Sequence, residues 1–390
     1  MAAPELGPVR WRLRLARTLA WALLLGGWVG LGSLAQALAP GPFSGFALLA
    51  GWLLALGLFA ELIGRLRLPG WMLRTLLIGA ALMAARALYS VRHGGGAFEL
   101  LPALMAWAII VALASSTVRS CRLLAWQRPG PPVAAAAAGA LLAWLWVGDI
   151  TDTLLLGPRL MFGALLASAL LALLLPPRSA TPRGCRAGLF DCSLPGGSPG
   201  EWRRPARWPV LVASLVMLPM MCTLPLMVTL CRSELVSPQL VLGVHFAAMF
   251  VPALWLVWRP ASASAAAPAC AVLLALGALA VLAAPGAWAW WGLALAHGSA
   301  WSIAWWAQLD DRVERAAAAP ARPHGPATPA AHGSPLRGAA LNAVFALALG
   351  AGLATVGLPA LTGWHVTLGL AGALAALAAL ARVLPDPHPR

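Results

Sequence analysis

The chain has 390 residues, of which 61% are hydrophobic and only 10% charged, and its mean hydropathy is +0.81. This composition excludes an ordinary soluble domain and reads as a set of transmembrane helices. The net charge of +15 does not indicate nucleic acid. All 27 basic residues are arginine, scattered over short loops between apolar runs, where they set membrane orientation instead. The expected surroundings are therefore a lipid bilayer, with no nucleic-acid partner.

In chain order, Arg10, Arg12, Arg14 and Arg17 precede an apolar run that continues to about Leu38. The run continues without a convincing small-residue cleavage site and reads as a retained first helix. Apolar runs near the ~20 residues a bilayer demands follow in series: 16–38, 43–63, 71–91, 97–117, 132–152, 158–176, 208–230, 237–258, 265–284, 286–306, 338–358 and 364–384. The polar stretch 177–207 divides these spans six and six. The expected organisation is an N-terminal six-helix bundle (1–176), a cytoplasmic central loop (177–207) and a C-terminal six-helix bundle (208–390). A second interruption, 307–337, is rich in Ala, Pro, Arg and His and is expected to be a disordered cytoplasmic loop. Six cysteines in such a chain form no disulfide framework. Cys185 and Cys192 fall in the central loop as reduced thiols, at a spacing that fits no standard metal site.

Arginine counts fix the orientation. With the N-terminus inside, only Arg86, Arg92, Arg159 and Arg232 fall on the outer side, and the other 23 fall on the cytoplasmic side. The positive-inside rule is obeyed throughout, so the expectation is twelve transmembrane helices with both termini cytoplasmic. Asp149 and Asp152 are placed at the outer end of the fifth span and Glu99 near the start of the fourth, as solvated helix ends. Arg86 lies deeper and needs a partner, for which Glu99 is the candidate.

Six plus six spans with a long inner connection resemble the major facilitator superfamily, whose two halves rock about a midplane site. The loop after the second span strengthens the likeness. Gly57, Glu61, Gly64 and Arg65 resemble the G-x-x-x-D-x-x-G-R signature of that superfamily, with Glu in place of Asp and Leu66 where a second basic residue is usual. The resemblance implies a conformational-switch motif in which the acidic residue helps lock the halves together on the cytoplasmic side. The fifth span lacks the G-x-x-x-G-P-x-x-G-G pattern of drug antiporters, which disfavours a multidrug exporter.

The sharpest chemical signal lies between residues 217 and 249. Five of the ten methionines (217, 220, 221, 227 and 249) fall in these 33 residues, where an even spread would place fewer than one. Met217-x-x-x-Met221 lies on the seventh span and His245-x-x-x-Met249 on the eighth. Residues four apart share a helix face, so each span aims two donors the same way. Thioether sulfur and neutral imidazole suit Cu(I). At ~1.5 Å rise per residue, Met221 levels with His245 and Met217 with Met249 near the midplane. Methionine is also a common filler of apolar cores, and a single M-x-x-x-M carries nothing. The clustering with His245 favours the metal reading.

Met217, Met221, Thr223, Pro225, Leu226, Met227, His245, Met249, Phe250 and Pro252 together resemble the seventh and eighth helices of the CcoA-like (CalT-type) copper importers of bacterial inner membranes, which supply copper for haem–copper oxidase assembly. The resemblance implies that Met217, Met221, His245 and Met249 handle copper, with Cys231 as an additional thiol. It implies copper as transported substrate, no tightly bound cofactor, and a copper chaperone or oxidase assembly proteins downstream. Relatives that move organic solutes share part of this framework, so a small-solute permease stays open, as does a non-transporting assembly factor. Ala253 stands where many relatives have Ser. Cys222, Met227, His297 and Asn342 are candidates for lining the cavity, although helix–helix hydrogen bonding explains His297 and Asn342 as well. No Ser/His/Asp set or carboxylate pair suggests an enzyme.

Overall fold

The computed structural model describes residues 7–38, 42–66, 68–94, 97–119, 130–148, 152–174, 237–258, 263–283 and 287–318, with further positions between 210 and 221 and between 336 and 347. Among these residues the chain is entirely helical. The helices are α1 (Gly7–Leu38), α2 (Pro42–Arg65), α3 (Gly70–Arg92), α4 (Ala97–Arg119), α5 (Gly130–Val147), α6 (Thr153–Leu174), α7 (Pro238–Trp258), α8 (Ala263–Ala283) and α9 (Ala287–Ala318). The eighth, ninth and tenth spans of the sequence are thus α7, α8 and α9. Of the seventh span, positions 210, 212, 213, 217 and 221 are described, all helical. The eleventh is helical at 338–344 and 346–347. The twelfth span, the central loop and Cys222, Met227 and Cys231 lie outside the described residues.

Five helices hold stretches long and apolar enough to cross a membrane, at Arg14–Ala35, Ser44–Ile63, Gly70–Arg92, Leu154–Leu174 and Pro238–Trp258. Shorter apolar stretches occupy Glu99–Ser115, Val133–Val147 and Ala265–Gly277. The α1 window is 94% buried, against 44–50% for the other four, which makes α1 the central post of its half. It packs against α2, α4, α5 and α6. Its approach to α4 depends on Gly27. The Trp107 indole donates to the Leu23 carbonyl at 2.9 Å, and a Cβ on Gly27 would lie 2.1 Å from the same indole nitrogen. Removing that side chain lets the ring lie on bare backbone and reach a carbonyl one turn earlier. The outer faces have the opposite character. Leu54, Leu58 and Leu62 of α2 form an exposed apolar stripe, while Trp52, Leu53 and Leu56 on the other side are fully buried. A helix that is apolar on its exposed face is one adapted to lipid rather than water.

α1 begins at Gly7, nine residues before the expected span, and two further boundaries differ from the sequence reading. The fifth span stops at Val147, and Gly148 takes a left-handed φ of 62°, the usual helix terminator. Asp152 therefore does not end that span but begins the next. Its Oδ1 accepts the Leu155 N–H at 3.1 Å and its carbonyl accepts Leu156 N–H at 2.9 Å, an N-cap on α6. Pro158 is the sixth residue of α6 and lies inside the helix, where it leaves the Leu154 carbonyl without its usual i+4 donor. The expected disordered loop 307–337 is also corrected in its first part, because α9 runs on to Ala318. The sequence there, QLDDRVERAAA, is made of good helix formers with Asp311 and Arg315 one turn apart, which sustains a helix after the apolar pattern ends.

The N-terminal half and the helices after residue 237 meet along α1 and α5 on one side and α7 and α9 on the other. Trp144 of α5 donates to the Gln239 carbonyl of α7 at 2.9 Å. Trp21 of α1 stands edge-on to Phe250 of α7 at 6.1 Å and to Trp305 of α9 at 5.5 Å.

Candidate functional site

The site grows from the α7–α9 contact. α7 buries one face made of Val241, Leu242, His245, Phe246, Met249 and Ala253, the i, i+3/i+4 repeat of a helix packed on one side. α9 can approach that face closely because position 298 is glycine. A Cβ there would lie 2.7 Å from Ala248 Cβ, 2.8 Å from the His245 carbonyl oxygen and 3.2 Å from Met249 N. No side chain fits in that gap. A turn further on, Pro252 lacks an N–H to continue the ladder, and the neighbouring Ala253 N–H is accepted by Ser302 Oγ of α9 at 2.9 Å. The two helices are thus held together on both sides of His245 and Met249.

His245 is fully buried. Its Nδ1 lies 3.1 Å from the Ala294 carbonyl oxygen of α9. A carbonyl only accepts, so Nδ1 carries the ring proton and the other nitrogen presents a bare lone pair. That nitrogen, Nε2, faces the Met217 sulfur at 3.3 Å. A thioether is itself an acceptor with no proton to give. Two electron-pair donors, one borderline and one soft, are therefore aimed at one point with no hydrogen between them. A cation resolves such a pairing, and nitrogen–thioether donor sets suit soft cations. A backbone carbonyl bonded to the remote ring nitrogen is also the usual device for fixing a ligating histidine's tautomer.

The structure brings together Met217 and His245, whereas the depth argument from the sequence levelled Met217 with Met249 and Met221 with His245. The difference is about one helical turn, ~5.4 Å, the size of shift that a modest crossing angle between neighbouring helices introduces. Met221 and Met249 are fully buried in the same apolar core. His297 is buried and its ring stacks on that of His245 at 6.2 Å with 24° between planes. Asn342 is buried and donates to the Gly338 carbonyl at 2.8 Å. Among the described residues, no three His, Cys, Asp or Glu side chains gather as a metal cluster. The Ala294 carbonyl, Gly298 and Ser302–Ala253 contacts were not assigned to the site from sequence. A glycine one residue after a histidine on an apolar helix was the available signal.

The switch motif is formed locally. Glu61 Oε1 accepts from Arg65 Nη2 at 2.8 Å and Nε at 3.1 Å, an exposed i,i+4 pair at the end of α2. Gly57 sits one turn before Glu61 on α2, and Gly64 lies beside Arg65. Arg86 and Glu99, expected as partners, are both exposed, and Glu99 accepts instead from Ser90 Oγ at 3.3 Å.

Comparison of the sequence finds no matching protein family and no similar curated protein. Solved structures do match. A mutant of the nucleoside transporter NupG superposes with a TM-score of 0.64 at 15% identity, covering 96% of this chain and 99% of that one. The xylose transporter XylE from E. coli, in a partially occluded inward-open state, gives 0.58 at 14% identity, with 96% and 99% covered. A bacterial homologue of the iron transporter ferroportin, outward-facing, gives 0.56 at 14%, with 96% and 98% covered. The chain has the fold of these membrane transporters, the major facilitator fold.

Proposed function

We propose that this chain is a transporter of bacterial inner membranes that imports copper as Cu(I) by alternating access and serves haem–copper oxidase assembly. In this reading it spans the bilayer twelve times with both termini in the cytoplasm, as the arginine distribution supports. The observation that carries the proposal is the facing pair of His245 Nε2 and Met217 Sδ, with the imidazole proton engaged by Ala294. A two-donor site of thioether and imidazole binds Cu(I) without enclosing it, and a transporter must release what it binds. Met221, Met249 and Cys231 are the further ligands along the path. The solved homologue of an iron transporter among the similar structures supports a metal cargo on this fold. Rocking of one half against the other, about the contacts of Trp21 and Trp144, would expose the site to each side in turn.

A permease for a small organic solute is the second reading, supported by the nucleoside and xylose transporters among the similar structures. It requires that Met217→Leu and Met221→Leu leave transport intact. A non-transporting assembly factor requires that metal binds and no flux follows. Copper accumulation in cells lacking their own importer separates these readings. The copper reading expects uptake by the wild type that collapses in Met217→Leu, Met221→Leu, His245→Leu and Met249→Leu at equal expression. Unimpaired uptake in the variants, or none in the wild type, contradicts it.

A further inference from the structure

His297 is the one buried imidazole of this core, among the described residues, whose two ring nitrogens both lack a hydrogen-bond partner. An unmade hydrogen bond on a buried polar atom costs ~1–3 kcal/mol, so an apolar residue of the same shape would stabilise the helix pair better. Packing does not explain the choice of histidine here. Its position does not look accidental either. Ala294, His297 and Gly298 lie at i, i+3 and i+4 on α9, the same face. Ala294 holds His245, Gly298 admits the α7 backbone, and the His297 ring lies beside that of His245, its centroid 6.2 Å away with 24° between planes. The lone pair on His245 is already directed at Met217. A second imidazole with a free lone pair therefore stands beside a two-donor site that leaves a cation's coordination incomplete.

We propose that His297 is a ligand for the cargo, supplying the second imidazole nitrogen to a soft monovalent cation held by Met217 and His245. The site is then a three-donor set of one thioether and two imidazoles, built across the seventh span, α7 and α9. This explains why a histidine stands where neither of its ring nitrogens makes a hydrogen bond. It also gives selectivity: a nitrogen-rich soft set discriminates against hard cations such as Mg²⁺ and Ca²⁺, which take oxygen donors. The inference rests on the copper reading above, and its test separates the two.

The purified full chain, loaded with Cu(I) under reducing conditions, is measured by X-ray absorption for its nitrogen and sulfur ligands and by competition with a Cu(I) chelator for affinity. His297→Phe keeps a ring to stack on His245 and removes both nitrogens, and His297→Gln keeps a polar side chain as a second variant. The expected result is two imidazole nitrogens in the wild type and one in each variant, with affinity lowered roughly tenfold or more. Wild-type affinity and an unchanged nitrogen count in His297→Phe overturn the proposal for His297 alone, provided His245→Phe still loses binding. If a variant does not fold, the ligand count of the wild type decides, and a single imidazole contradicts the proposal. No Cu(I) binding by the wild type overturns both this and the copper reading.

Discussion

Among the described residues, the C-terminal side of the molecule buries two imidazoles and the N-terminal half buries none. Among the described residues, the core of α1–α6 holds three serines (Ser33, Ser115 and Ser168) and Arg17. The C-terminal side holds His245, His297, Ser302 and Asn342. A serine in an apolar helix can bond back to a carbonyl of its own preceding turn, although the hydroxyls of Ser33, Ser115 and Ser168 make no hydrogen bond in this structure. An imidazole has no such retreat, and burying one among apolar helices is costly. The N-terminal half thus meets the site with indole rings, Trp21 against Phe250 and Trp305, and contributes shape. In the proposed reading, the chemistry is gathered on α7, α9 and the seventh span. Cargo held by one half while the other supplies an apolar wall is compatible with rocking, because no ligand bond has to break as the halves separate.

The sharpest way to break this contrast is to damage the scaffold and look for an effect on the site. Trp107→Ala removes a fully buried indole and its bond to Leu23, and should cost ~3–5 kcal/mol of stability, seen as a lower thermal midpoint in detergent. Cu(I) affinity of the folded protein should be unchanged. His245→Leu and Met217→Leu should do the reverse. Each is expected to weaken Cu(I) binding by ~10–100-fold or more, at least the loss seen when even an outer partner of a metal ligand is removed. Stability should hold or rise, since an aliphatic side chain replaces a group with an unsatisfied electron pair. Affinity titration alongside thermal melting checks both halves of this statement.

A matched pair of glycine variants sharpens the comparison further. Gly27→Ala and Gly298→Ala each force a Cβ into a gap too small for it, and each should cost ~1–3 kcal/mol. Only Gly298→Ala should also lower Cu(I) affinity, because it pushes α9 and its Ala294 carbonyl away from His245. Equal effects of both on affinity would show that the two halves are not chemically distinct. The smallest effect is expected at the switch motif. Glu61 and Arg65 form an exposed pair, so Glu61→Gln should change stability by no more than ~0.5 kcal/mol, while slowing transport if the motif governs the motion.

Much of the fold was legible from apolar run lengths, since in a bilayer every backbone group must be satisfied within its own helix. Hence α2, α3, α4 and α7 end within about two residues of the sequence reading. The ends that moved are those where polar residues do something other than stop a helix. Asp152 starts α6 rather than ending the span before it, and the charged run after Ala307 prolongs α9. Sequence spacing singled out the methionines and His245 as donors on shared faces, because face-sharing within one helix is fixed by its period. It missed which donor meets which, and it missed Gly298, because register between helices depends on crossing angle and close packing that no single helix encodes. The orphaned state of His297 was likewise invisible, since a hydrogen-bond partner on another helix was the reasonable expectation.

Copper import by this chain is tested with the purified protein in liposomes under reducing conditions, by following Cu(I) entry with a chelating dye trapped inside. Saturable entry is expected in the wild type, abolished by Met217→Leu and by His245→Leu, and unchanged by an apolar substitution such as Leu58→Ile on the exposed face of α2. Entry that persists in Met217→Leu and His245→Leu, or a wild type that binds Cu(I) without moving it, would contradict this expectation.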